Sequence, residues 1–187
     1  YDQILIVDAD TIVHPDCPNF FNETNGKYSA VRNNGSFEWV RRSMNGFSQL
    51  LFPGDIPFKV WDYINCGFQI VNKDHKEFFE YVRNFYLENQ RDVQNAIVNV
   101  KASTDQTIIN FLLRQQNIEI NYLPICYNLQ DLSSKQLLYI HPSLWWLTDE
   151  LIFKECGYVF HFNAIPKTEM GRDANYWIKR TYEEFYK

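Results

Sequence analysis

Short apolar runs of strand length alternate along this chain with segments whose apolar residues recur at helical spacing. Strands feeding helices, and helices returning to strands, define the α/β class. Residues 4–7 and 64–71 read as buried strands, and 28–31 as a weaker one. "IEINYLP" at 118–124 alternates like a strand, and "GYVFHF" at 157–162 is another. Apolar residues at 39, 40, 44, 47, 50 and 51 predict a helix that "FPGDIPF" closes. Asp74, with Glu77 three residues on, resembles a capping box ahead of a core-packing stripe of Phe78, Tyr81, Val82 and Phe85. Thr104 is an N-cap candidate for a helix that turns Ile108, Ile109, Phe111 and Leu112 inward. From Asp173 an amphipathic helix is built on Trp177, Ile178, Thr181 and Phe185. The chain shows no repeat and no low-complexity segment.

At 187 residues, 45% hydrophobic and 17% aromatic, the chain can bury one sizeable core, so a single domain over 1–187 is expected. A net charge of −5 and a pI near 5.4 argue against a nucleic-acid partner, which needs a basic footprint. Cys17, Cys66, Cys126 and Cys156 are far apart with no C-x-x-C, which excludes zinc-finger and thioredoxin readings and favours reduced thiols. No apolar run approaches the roughly 20 residues that span a bilayer. The compartment stays open, with the cytoplasm favoured.

The run at 4–7 ends in Asp8-Ala9-Asp10. Two acids two apart on an extended segment point to one side, where they can share a divalent cation; without a counter-ion they repel. The plain alternative is one acid capping a turn and the other solvated. The same pattern resembles the DxDx[TV] start of haloacid-dehalogenase-like phosphatases, in which the first Asp is a nucleophile. Position 12 is Ile, however, and the chain has no Asp-Asp pair for the metal that chemistry requires.

Four segments taken together carry a second resemblance. "YDQILIVDADTIV" is similar to the strand and DxD motif of the glycogenin-like and galactosyltransferase-related retaining glycosyltransferases, glycosyltransferase family eight. "YINCGFQIVN" at 63–72 resembles that family's "FNAG" strand, with Asn65, Cys66 and Gly67 in place and Cys66 standing for Ala. "STDQTIIN" at 103–110 resembles its "DQD..LN" helix start, with Asp105, Gln106 and Asn110 kept and Thr107 replacing the third acid. "HFNAIPK" at 161–167 resembles its "H-x-x-G-x-x-K" closing motif, with His161 and Lys167 at the family spacing.

The resemblance implies a GT-A fold, a Rossmann-like mixed sheet with flanking helices. It implies metal ligands in Asp8, Asp10 and His161, holding Mn²⁺ or Mg²⁺ against a diphosphate. The mixed carboxylate and imidazole set suits Mn²⁺ better. Alone, a histidine among Val159, Phe160 and Phe162 reads as a core residue. Lys167 would reach the same diphosphate as a point charge. Asn65, Gly67 and Asp105 would bind the donor sugar, and Gln106, with Asp105, would carry the catalytic role at the face where the acceptor arrives. By itself, Asp105 reads as a first-turn acid favoured by the helix dipole.

The implied activity moves a hexose from a nucleotide sugar, a UDP-sugar foremost, to a glycan, lipid or protein, with retention of configuration. The aromatic segments 37–61 and 141–147 are candidate acceptor surfaces, with core packing as the alternative for at least half of their rings. Ala164 stands where the family has Gly, and Thr168-Glu169 where it has Pro-Trp. In the family a first α/β half precedes the DxD strand, so this chain is expected to be the C-terminal portion of a domain that lacks its nucleotide-binding front. These departures also admit a degenerate, non-catalytic binding module.

Overall fold

The structure, a computed structural model, describes residues 1–101, 105–138, 151–167 and 171–187. The chain forms two compact units, Tyr1–Ile6 with Thr24–Leu123 and Val7–Glu23 with Pro124–Lys187. The expected α/β class holds, with a mixed parallel and antiparallel sheet and flanking helices.

Among the described residues the larger sheet has four strands, β1 (Gln3–Val7), β4 (Ile64–Asn72), β3 (Tyr28–Arg32) and β5 (Ile120–Leu123), in the spatial order β1-β4-β3-β5. β3 runs antiparallel to β4 and parallel to β5. β4 lies between two neighbours and is buried from Ile64 to Val71, which is why its sequence is nearly continuously apolar. Its helices are α1 (Phe37–Leu50), α2 (Lys76–Glu88), α3 (Gln90–Val100) and α4 (Gln106–Gln115).

Ser36 caps α1 by accepting from Trp39 N at 3.2 Å, worth about 1 kcal/mol. Val40, Met44 and Phe47 form the buried stripe of α1. Gly46 lets α1 and α3 approach closely, since a Cβ there would meet Val100 Cγ2 at 2.5 Å. The core is aromatic: the Phe52 ring stacks between Phe85 and Phe111, with centroids 5.4 and 4.5 Å away. Each such buried ring contributes about 1.5–3 kcal/mol through removal of its apolar surface from water.

The second unit holds β2 (Thr11–Val13) antiparallel to β6 (Val159–His161), and α5 (Ala174–Tyr186). Leu129 lies beside Phe160 in a parallel bridge, with Leu129 N donating to Val159 O at 2.8 Å and His161 N donating to Leu129 O at 3.0 Å. Phe153, Phe160, Phe162, Leu132 and Trp177 make its core. Asp173 caps α5 through Tyr176 N at 3.1 Å, as its place before the amphipathic stripe foretells. Among the described residues no helix is long and apolar enough to cross a membrane.

Several local expectations are corrected. β1 was expected to be buried, yet Ile4, Ile6 and Val7 are exposed, because β1 is an edge strand with one neighbour in the sheet. The capping box ahead of α2 is formed by Asn72 and His75, not Asp74 and Glu77. Asp74 N donates to Asn72 Oδ1 at 2.9 Å, and Asn72 N donates to His75 Nδ1 at 3.1 Å. Tyr81 is exposed, and Phe79 packs on the core instead. The helix α3 has no counterpart in the sequence reading, because only Val93 and Ala96 of it are buried and its apolar stripe is thin. Thr104 lies outside the described residues; α4 starts at Gln106 with Asp105 at the cap position.

Candidate functional site

The strand pair β2–β6 frames a cluster of three ligand-bearing side chains. Thr11 faces His161 across the ladder, so the acidic stretch that precedes Thr11 is delivered next to the histidine. The sequence suggested an extended segment, but residues 9–10, just after Asp8, form a turn between β1 and β2. Backbone bonds fix that turn: Phe162 N donates to Asp10 O at 2.9 Å, and Thr11 Oγ1 donates to Asp8 O at 2.8 Å. With the carbonyls of both acids taken up in this way, their carboxylates converge on the imidazole.

His161 Nε2 lies 3.4 Å from Asp8 Oδ2 and 3.1 Å from Asp10 Oδ1. One ligand atom from each residue falls within 4.8 Å of the others. An octahedral ion with bonds of about 2.1 Å places adjacent ligand atoms about 3 Å apart, close to the two separations from His161 Nε2. The imidazole is 4% exposed while the two carboxylates are 55% and 40% exposed, which leaves the acidic side of the cluster open to solvent. His161 Nδ1 is buried and makes no hydrogen bond among the described residues, so the ring is held by packing and by what Nε2 faces. The His161 hydrogen bond holds the Asp10 carboxyl below the usual carboxylate range, against the opposing pull of its partial burial. An Asp-Asp-His set of this kind is a possible divalent-metal site.

Of the closing motif, Lys167 is exposed in the segment that follows β6. Ala164, at the family's glycine position, has φ of +51°, the left-handed conformation that favours glycine. The backbone thus keeps a glycine-like shape while carrying a methyl group. Thr168 and Glu169 lie outside the described residues.

The two middle motifs meet in the larger unit. Gln106 Oε1 accepts from Cys66 N at 3.1 Å, which joins the start of α4 to the Asn65–Gly67 stretch of β4. Asn110, one turn further, locks the joint: its Oδ1 accepts from Ile64 N at 2.9 Å, and its Nδ2 donates to Ile64 O at 3.0 Å and to Gln106 O at 2.9 Å. Fully buried, Asn110 is a structural residue that satisfies strand backbone groups an apolar residue would leave unpaired. Asn65 is buried, and its Oδ1 accepts from Gly67 N at 2.8 Å. Asp105 is exposed and its side chain makes no capping bond, so the helix does not use this acid as a cap. Thr107, in place of the family's third acid, is fully buried and bonds the hydroxyls of Ser43 and Tyr63. It is therefore part of the packing between α1, α4 and β4.

Of the candidate acceptor rings in 37–61, Phe47, Phe52 and Phe58 are buried, Trp39 is partly so, and Phe37 and Trp61 are exposed. The stretch 141–147 lies outside the described residues. One residue escaped the sequence reading. The Tyr86 hydroxyl on α2 is buried without a hydrogen-bond partner among the described residues. "FFEYVRNFYLE" offers no local sign that one of its rings carries a polar group into the interior.

No protein-family model matches the chain, and no curated protein matches it. Among solved structures it is similar to the apo structure of WbbM, a bifunctional glycosyltransferase, at 16% sequence identity and a TM-score of 0.48, over 88% of this chain and 29% of that one. The chain therefore spans less than a third of that protein's length, and a likeness this slight carries no argument about activity.

Proposed function

We propose that this protein is a metal-dependent glycosyltransferase that moves a hexose from a nucleoside diphosphate sugar to a glycan, lipid or protein acceptor. The observation that carries the reading is the convergence of Asp8 and Asp10 with His161, about 150 positions further along the chain, on one point. The family-eight resemblance independently names those three as ligands. The donor set fits Mn²⁺ or Mg²⁺, with Mn²⁺ favoured by the imidazole. Such an ion, when bound, supplies positive charge to the diphosphate leaving group. Lys167 would add a point charge to the same diphosphate. Asn65, Gly67 and Asp105 are assigned to the donor sugar, with Asp105 and Gln106 as the catalytic residues. The resemblance carries those roles, together with retention of configuration and a UDP-linked donor.

The test is thermal unfolding with UDP or GDP, with and without Mn²⁺. A rise in Tm that needs both nucleotide and metal, and that Asp10→Ala abolishes, is expected. Absence of any Mn²⁺-dependent shift in the parent protein sinks the reading. Donor hydrolysis separates an enzyme from a binding module, since measurable turnover of any nucleotide sugar excludes the latter.

A further inference from the structure

The end of β3, the start of β4 and the end of β5 come together at one end of the larger sheet. Arg32, the last residue of β3, pairs with Ile64, the first of β4, and Tyr122 of β5 pairs with Ala30 of β3. Asp62, two residues ahead of β4, ties these elements into a cluster. Its carbonyl accepts from Arg114 Nη2 and from the Tyr122 hydroxyl, each at 3.1 Å, and its carboxylate lies 3.8 Å from Arg32 Nη2. The Arg32 guanidinium stands 3.8 Å from the centre of the Tyr122 ring. The short turn Val60–Asp62, closed by Asp62 N donating to Lys59 O at 2.9 Å, sets Lys59 and Trp61 beside this cluster. Lys59 Nζ is 5.0 Å from the centre of the Trp61 ring.

Two properties of the cluster point to a ligand. The first is charge. Arg32, Lys59 and Arg114 surround a single carboxylate within ion-pair distance among the described residues, that of Asp62, in a chain whose net charge is −5. Arg114 is half-buried, and its guanidinium bonds only uncharged groups among those residues, the Asp62 carbonyl and the Tyr122 hydroxyl, with the Phe58 ring 5.6 Å away. A cation drawn partly out of water without a counter-ion favours an anion nearby. The second property is exposure. Trp61 is 54% exposed and the Arg32 side chain 50%, so both are open to a guest. A guanidinium fork matches the two oxygens of a carboxylate. An indole face, negative in its quadrupole, receives the C–H face of a hexose.

We propose that Arg32, Lys59 and Trp61 form an acceptor subsite for an acidic saccharide. A uronic acid ring rests on the Trp61 indole, and Arg32 and Lys59 hold its carboxylate. Arg114 and Tyr122 are positioning residues, since both hold the carbonyl of the turn that carries Trp61. The subsite lies at the end of the sheet where Asn65 stands near the start of β4 and Cys66 N bonds Gln106. Its role as the acceptor's place rests on the glycosyltransferase reading, which assigns the donor sugar to that end.

The experiment is titration calorimetry, without added metal or nucleotide, using trigalacturonic acid, the neutral trigalactose of the same linkage and galactose 1-phosphate. The acidic trisaccharide is expected to bind about tenfold or more tightly than the neutral one, and its affinity to fall as salt is raised. Trp61→Ala should abolish the binding, and Arg32→Gln should remove the preference for the acid while leaving weak, salt-independent binding. Thermal unfolding of both variants within a degree or two of the parent Tm shows that the losses belong to the site. Equal affinity for the acidic and neutral trisaccharides, or none for either, overturns the proposal, as does full binding by Trp61→Ala. Tighter binding of galactose 1-phosphate than of trigalacturonic acid overturns the choice of a carboxylate. Because the assay contains neither Mn²⁺ nor nucleotide, its failure leaves the glycosyltransferase reading intact. Loss of the Mn²⁺-dependent shift, with saccharide binding retained, would instead overturn the acceptor role and leave a plain saccharide site.

Discussion

Ala164 shows what one methyl group can reveal. Its φ of +51° puts an L-residue in left-handed backbone, at a cost of about 1–2 kcal/mol, partly offset because glycine would lose about 0.5–1 kcal/mol more chain entropy on folding. Ala164 is exposed, so little packing is lost with its methyl. Ala164→Gly is therefore expected to stabilise the protein by up to about 1 kcal/mol, a rise of about 2–4 °C in Tm. Calorimetry checks this, and a lowered Tm would show that the methyl makes a contact worth more than the backbone strain. Asn110 shows the complementary case: its side chain hydrogen-bonds both the N–H and the carbonyl of Ile64 in β4.

At the level of single elements, the start of α2 depends on a neutral imidazole. His75 Nδ1 accepts the Asn72 N–H, which requires an unprotonated nitrogen. Burial lowers the His75 pKa from its ordinary 6.5, against a smaller opposing pull from the Asp74 carboxylate. In the unfolded chain the same ring takes up a proton at about 6.5. Between the two values the unfolded state binds more protons, so stability rises with pH there. The contribution is complete above about 6.5 and is lost as pH falls from there through the folded value. Thermal unfolding at about pH 7.5 and about pH 5.5 should show a larger drop in Tm for the parent than for His75→Gln, whose side chain still accepts the bond but does not titrate. Equal drops would assign the acid sensitivity elsewhere.

At the scale of the whole molecule, every residue of the candidate metal cluster belongs to the smaller unit, in the segment 8–10 and on β6. A ligand that binds only the folded form stabilises it by about 2.7 kcal/mol at a hundredfold excess over its Kd. Saturating Mn²⁺ should accordingly slow hydrogen exchange of the β2 and β6 amides by up to about a hundredfold, where exchange requires that unit to open. Mass spectrometry of peptides covering residues 11–13 and 159–161 reads this directly. Unchanged exchange in both peptides would mean no ion is held there.

The alternation of apolar runs and helical stripes was enough to determine the α/β class, because strand and helix periodicities are local properties of the chain. The same local logic placed β3, β4, β6, α1 and α5. The acids at 8 and 10 and the histidine at 161 were legible as candidates through residue type and motif order. Other features were decided only by the tertiary structure, since each depends on residues far apart in sequence. Edge position exposes β1 although its residues are apolar. Thr11 pairs with His161, which brings the distant histidine to the two acids. Thr107 is drawn into a buried hydroxyl network where the motif has an acid, and the Tyr86 hydroxyl is carried into the interior without a partner among the described residues. Local pattern specifies which face of an element is apolar, whereas only packing determines which atoms that face will meet.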